Sequence, residues 1–211
     1  MGAHNIGRLL AKHLQEAGEE VICIDSNPQR CSLAENEGIK IINGNGLEEK
    51  ILLRAEIDTR KGSIALTDNE EVNYLFTKNV KDIGKISNLL IGIKQDKTGI
   101  TEEMIEEIGA RIPFSFPRDL EQWNIWISHN KTKVLQYTYN LTDKIPKEDK
   151  YFGDDTKRLL LPLTCNQNDT IIPIDNKTEI SNGCMVLFLI NSNRIDEVNE
   201  WFGNNNWIST K

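Results

Sequence analysis

The residues best placed to do chemistry stand at the start of the chain. Gly2–Ala3–His4–Asn5–Ile6–Gly7 sets two glycines five positions apart where a helix begins. That is the frame of a turn whose backbone N–H groups and positive helix end hold a pyrophosphate. His4 stands where the middle glycine of a G-x-G-x-x-G turn is expected. A side chain there either closes the approach of the pyrophosphate or contacts the phosphate itself. Asp25 ends a short apolar run, Val21 to Ile24, at about the 20-residue spacing of a ribose-binding acid. An acid so placed accepts from both ribose hydroxyls and repels a 2′-phosphate, which favours NAD(H) or an adenine nucleotide over NADP. Thr67–Asp68 follows another apolar run and either faces the ligand or caps the next helix.

Other chemistries find little support. There is no G-x-S-x-G, no Tyr-x-x-x-Lys and no His/Asp pair at suggestive spacing, so no enzyme is expected. His4, His13 and His129 do not share metal-ligand spacing, and no metal is expected either. The net charge of -7 argues against a nucleic-acid partner, which wants a basic face. No apolar run approaches the roughly 18–20 residues needed to cross a bilayer, and no leader resembles a signal peptide. Cys23, Cys31, Cys165 and Cys184 lack C-x-x-C spacing and read as reduced thiols. The N-x-[ST] triplets at Asn130, Asn140, Asn168 and Asn176 read as chance in so Asn-rich a chain.

The elements that must position these residues alternate. A helix through Ile6, Leu10 and Leu14 ends at Gly18, and the strand Val21 to Ile24 follows. Next come a helix from Asn27–Pro28 to Glu37, a strand Ile39 to Ile42, the turn Asn43–Gly44–Asn45–Gly46 and a helix Leu47 to Ala55. Gly62 to Leu66, Ser87 to Ile93 and Ile112 to Phe116 read as further strands, with helices Glu70 to Val80 and Thr101 to Ile108 between them. This pattern predicts an α/β, Rossmann-like doubly wound parallel sheet. The strand that should precede Gly2 is absent, because the sequence opens at Met1; we expect upstream residues of the same protein to supply it. After Pro117 the pattern becomes a half-buried strand at Leu135 to Leu141, a charged loop over Lys144–Thr156, and apolar runs Leu159 to Leu163, Ile171 to Ile174 and Met185 to Ile190. A closing helix is expected over Arg194 to Phe202, with Trp201, Phe202 and Trp207 packing inside a small α+β unit. The expected division is 1–118 and 119–211, with the boundary inside 117–131.

With these residues in view, the chain resembles the RCK (KTN, TrkA-type) regulatory module of potassium transporters and cation:proton antiporters. The resemblance rests on Gly2–Gly7 with Arg8-Leu-Leu-Ala11, on Val21-Ile-Cys-Ile-Asp25 with Asn27-Pro-Gln-Arg30, and on Gly44–Asn45–Gly46. It rests above all on Ala65-Leu-Thr-Asp-Asn-Glu-Glu-Val-Asn73, and it continues loosely through Arg158–Leu163 and Ile180–Gly183. It implies a cytosolic regulator at the inner face of the membrane, a homodimer or higher oligomer that binds NAD(H), or ATP/ADP. The regulator controls a membrane cation transporter, fused upstream or a separate subunit. Carried over by position, Gly2, Ala3, Asn5, Ile6 and Gly7 would line the phosphates around His4, and Asp25, with Ser26 beside it, would hold the ribose. Asn45 and Gly46 would flank the adenine, Thr67 and Asp68 would sit near the distal end, and Arg30 would contact the adenine side or a partner subunit. The competing expectations are a soluble NAD-dependent oxidoreductase and a nucleotide-free oligomerisation scaffold.

Overall fold

Strand and helix alternate over the first half of the computed structural model, which describes residues 1–94, 99–140, 152, 154–167 and 170–210. The order is α1 (Asn5–Glu16), β1 (Cys23–Asp25), α2 (Pro28–Asn36), β2 (Ile41–Asn43), α3 (Glu49–Arg54), β3 (Gly62–Ala65), α4 (Glu70–Gly84), β4 (Asn88–Ile91) and α5 (Glu102–Glu107). Then come α6 (Leu120–Ser128), β5 (Thr132–Tyr139), β6 (Leu160–Gln167), β7 (Thr170–Pro173), β8 (Met185–Asn191), α7 (Ile195–Asn204) and β9 (Trp207–Ser209).

Local chemistry sets these boundaries. Pro28 opens α2, whose Asn27 side chain accepts from the Arg30 N–H at 3.0 Å. Asn69 caps α4 in the same way through Val72, at 2.8 Å, and Asp119 caps α6 through Gln122, at 3.0 Å. Gly18, at φ +89°, releases the chain from α1.

β1 pairs with β2 and β3 with β4, all parallel. Met1 lies between the two pairs: its ammonium donates to Ile64 O at 2.6 Å, and its carbonyl accepts from Leu66 N–H at 2.9 Å. Gly2 N–H donates to Ile24 O on the other side, at 3.0 Å. The lanes therefore run β2-β1-Met1-β3-β4, and Arg111 bridges Leu90 beyond β4. This is the α/β, Rossmann-like order in which α1 starts at the carboxyl end of the middle lane. Ile24, Leu52, Phe76, Leu89, Ile91 and Ile105 fill its core.

The strand expected at Ile112 to Phe116 does not form. Phe114 and Ser115 take φ +61° and +75°, so the extended run breaks. What remains is a parallel bridge at Arg111 and an antiparallel one from Pro113 to Asp175. Helix α4 runs on past the expected Val80 to Gly84, and both α6 and β9 arise where no element was anticipated. Of the charged loop expected over 144–156, residues 144–151 and 153 lie outside the described residues, as does Asn168; Asp154–Arg158 forms a 3₁₀ turn.

The C-terminal half is an antiparallel sheet in the order β7-β6-β8-β5-β9, with a bulge between Pro162 and Thr164. α7 covers one face. Tyr137 stacks on Phe202 at 3.7 Å between ring centroids, and Phe188 meets Trp207 edge-on at 5.1 Å. The expected packing role of Trp201, Phe202 and Trp207 is what the sheet shows. A further cluster joins the halves: Ile6 and Leu10 of α1 and Leu120 and Trp123 of α6 meet Leu161, Leu163 and Leu189 of the sheet. All four cysteines are free and buried.

Candidate functional site

The glycines of the turn are required by contact. A Cβ on Gly7 would stand 2.0 Å from Gly2 O, so only glycine lets α1 start this close to the middle lane. Gly2 itself sits at φ +96°. The Asp25 carboxylate ties this turn to the next: Oδ2 accepts from Ala3 N–H at 2.7 Å and Oδ1 from Asn27 N–H at 2.9 Å. Arg8, buried on α1, backs the turn from behind, donating to Ala3 O at 2.8 Å, to Asn5 Oδ1 at 2.9 Å and to Glu37 at 3.0 Å.

A cleft of about 350 Å³ opens at the carboxyl ends of β1, β2 and β3. Of the residues singled out from sequence, Gly2, Asp25, Ser26, Arg30, Asn45, Gly46, Thr67 and Asp68 line it together. The volume lies in the ordinary range of small-ligand sites. Arg30 spans the cleft between Asp68, 3.4 Å away, and Asp25, 3.8 Å away. Thr67 is turned inward, its hydroxyl on Asn73 Oδ1 at 2.6 Å.

Ala3, His4, Asn5, Ile6 and Gly7 stand off the cleft wall. Ala3 N–H is held by Asp25, and Ile6 N–H donates to Asn124 Oδ1 of α6 at 3.0 Å. The Ile6 side chain is wholly buried in the cluster that joins the halves. The N–H groups of Asn5 and Gly7 have no acceptor among the described residues. Asn124 and Arg8 therefore belong to the turn, although sequence reasoning missed both. Arg8 offered a signal, a cation in the first turn of α1, whereas Asn124 offered none.

The His4 ring is 5% exposed, with Nε2 on Leu66 O and 3.8 Å from Asp68, while Nδ1 is buried without a partner among the described residues. Burial holds its imidazole below the ordinary 6.5, against the opposing pull of Asp68. The unfolded chain thus takes up this proton first as pH falls, and stability is lost from about pH 6.5 downward. The melting temperature is expected to fall between pH 7 and pH 5 more steeply in the natural chain than in His4→Asn. Equal slopes would remove His4 as the cause.

Among the described residues no three His, Cys, Asp or Glu side chains lie close enough to hold a metal, and no helix is long and apolar enough to cross a membrane. The sequence profile of the TrkA-N domain matches residues 1–115. This chain belongs to the TrkA-N domain family. A Trk system potassium uptake protein TrkA homolog of Pyrococcus abyssi is 32% identical over 108 residues, 50% of this TrkA-N chain and 48% of that protein. The chain thus spans about half the length of that curated relative. The TrkA-N domain of the inner membrane protein ybaL of Escherichia coli superposes with a TM-score of 0.49 at 17% identity, over 61% of this chain and 91% of that one. The GsuK channel bound to NAD superposes with a TM-score of 0.44 at 14% identity, over 94% of this chain and 37% of that one.

Proposed function

We propose that this chain is a cytoplasmic regulatory domain of a cation-transport system, and that it acts by binding NAD(H), or ATP or ADP, without chemistry. Its partner in this reading is a membrane potassium or sodium carrier, and residues 1–118 form the nucleotide unit of a homodimer or larger assembly, with 119–211 as its accessory unit. Membership of the TrkA-N family and the similarity to a potassium uptake protein of Pyrococcus abyssi support a role in cation transport. One observation carries the ligand: a cleft at the carboxyl ends of parallel strands, with Asp25 held at its tip by Ala3 and Asn27 N–H groups. Asp25 would hold the ribose, with Ser26 beside it, Asn45 and Gly46 would flank the adenine, and Arg30 would meet the negative end of the ligand. Regulation follows when the nucleotide binds two arrangements of the assembly unequally, typically by 1–3 kcal/mol.

Thermal unfolding of the chain with NADH, NAD, ATP and ADP tests this. A ligand at ~100 times its Kd adds ~2.7 kcal/mol, roughly 5–10 °C in Tm for a chain of this size. Arg30→Ala leaves Asp25 and Asp68 without their cation and is expected to weaken the responding nucleotide at least ~10-fold by calorimetric titration. Unchanged affinity would take Arg30 out of the site.

A nucleotide-free scaffold is the second reading, favoured by the commitment of Ala3 and Ile6 N–H to Asp25 and Asn124. No shift with any nucleotide would select it.

A further inference from the structure

The N-terminus of α1 is closed by a residue more than a hundred positions away in sequence. Asn124, on α6, takes Ile6 N–H on its side-chain oxygen and accepts the Asn5 amide on its main-chain oxygen, both at 3.0 Å. Ile6 N–H is one of the first-turn donors that a phosphate at a helix N-terminus uses. The same site carries two strained features. Asn124 Nδ2 and His4 Nδ1 are both buried with no hydrogen-bond partner among the described residues. Orphaned polar atoms make this arrangement costly, and moving Asn124 away would return its amide to water.

Asn124 is also mechanically placed. Its neighbour Trp123, 1% exposed, packs in the cluster that includes Leu161 and Leu163 of β6 and Leu189 of β8. Past Ser128 the chain turns through Asn130, at φ +54°, directly into β5. A displacement at Asn124 therefore passes along α6 to the antiparallel sheet without crossing a flexible connection.

We propose that Asn124 is a built-in competitor for the nucleotide's phosphate, displaced from Ile6 N–H when the phosphate binds, and that this displacement loosens α6 and reports occupancy to the C-terminal sheet. The inference rests on the nucleotide reading above and adds to it the residue that couples the site to the rest of the chain. Substitutions at one position should move affinity in opposite directions. Asn124→Ala frees the donor and is expected to bind NADH about tenfold tighter, the worth of a helix cap. Asn124→Asp keeps the acceptor, adds a fixed negative charge at the helix end, and is expected to bind at least ~10-fold more weakly.

The experiment titrates NADH and ADP into the full 211-residue chain and its two variants, and follows hydrogen exchange of residues 120–128. Opposite shifts in affinity, with faster exchange in 120–128 when NADH binds the natural chain, support the proposal. Binding by Asn124→Ala alone also supports it. Equal affinities in all three, or unchanged exchange in 120–128, overturn the coupling and leave the nucleotide reading standing. No binding by any of the three overturns both. If Asn124→Ala does not fold, Asn124→Asp decides: affinity equal to the natural chain overturns the proposal.

Discussion

Gly7→Ala is expected to destabilise the protein by about 3 kcal/mol, the upper part of the ordinary range for overpacking. The methyl group would lie 2.0 Å from Gly2 O, and the atom it meets is backbone, which cannot rotate aside. Neither side can easily give way. Gly2 is bonded to Ile24 on β1, and Ile6 and Leu10 bury the adjoining face of α1. For a chain of this size the loss corresponds to roughly 6–12 °C in melting temperature. Gly203, in α7, is the control. A Cβ there meets nothing within 4 Å, so Gly203→Ala is expected to be neutral or stabilising by up to ~1 kcal/mol. Thermal unfolding followed by circular dichroism separates the two, and a Gly7→Ala melt within a degree of the natural chain would contradict so tight a turn.

Trp123→Ala is expected to cost about 4 kcal/mol, within the 3–5 kcal/mol usual for a fully buried aromatic. Trp123 is 1% exposed and stands edge-on to Trp126 at 5.0 Å. It lies in the cluster that joins α1 and α6 to β6 and β8, so the cavity opens at the junction of the two halves. Urea unfolding should show a lower midpoint with an unchanged slope, since the surface exposed on unfolding is nearly the same. A loss under 1 kcal/mol would mean that α6 does not pack on α1 in solution.

Much of the α/β half was legible because each of its elements announces itself locally. Asn27–Pro28 marks the start of α2, where the Asn27 side chain accepts from the backbone three residues on, whereas α4 is capped by Asn69 and not by Thr67 or Asp68 as the sequence reading allowed. Asp25 was legible as an acid at a strand tip. That one of its oxygens holds the Ala3 N–H was not, because that partner comes from a different turn, 22 residues away. Helix α6 was invisible for another reason. Its stretch Leu-Glu-Gln-Trp-Asn-Ile-Trp-Ile-Ser buries only Leu120 and Trp123 outright and leaves Ile125 exposed, so no clean helical stripe appears in the sequence. Asn124, within it, became part of the turn only by tertiary packing. The Ile112–Phe116 strand failed because apolar composition says nothing about the sign of φ.

The left-handed pair Phe114–Ser115 bears on how this chain can drift in sequence. It sits where the chain leaves a parallel lane at Arg111 and joins an antiparallel one at Asp175, with Phe114 N–H donating to Ile174 O at 2.7 Å. A β-branched residue at 114 would resist φ +61°, whereas glycine would accept it but leave unfilled the space of a ring only 1% exposed. Position 114 is thus bounded from both sides, by backbone and by volume. Unbranched, bulky side chains are what such a double bound leaves open, and homologues that share this crossover should be confined to them.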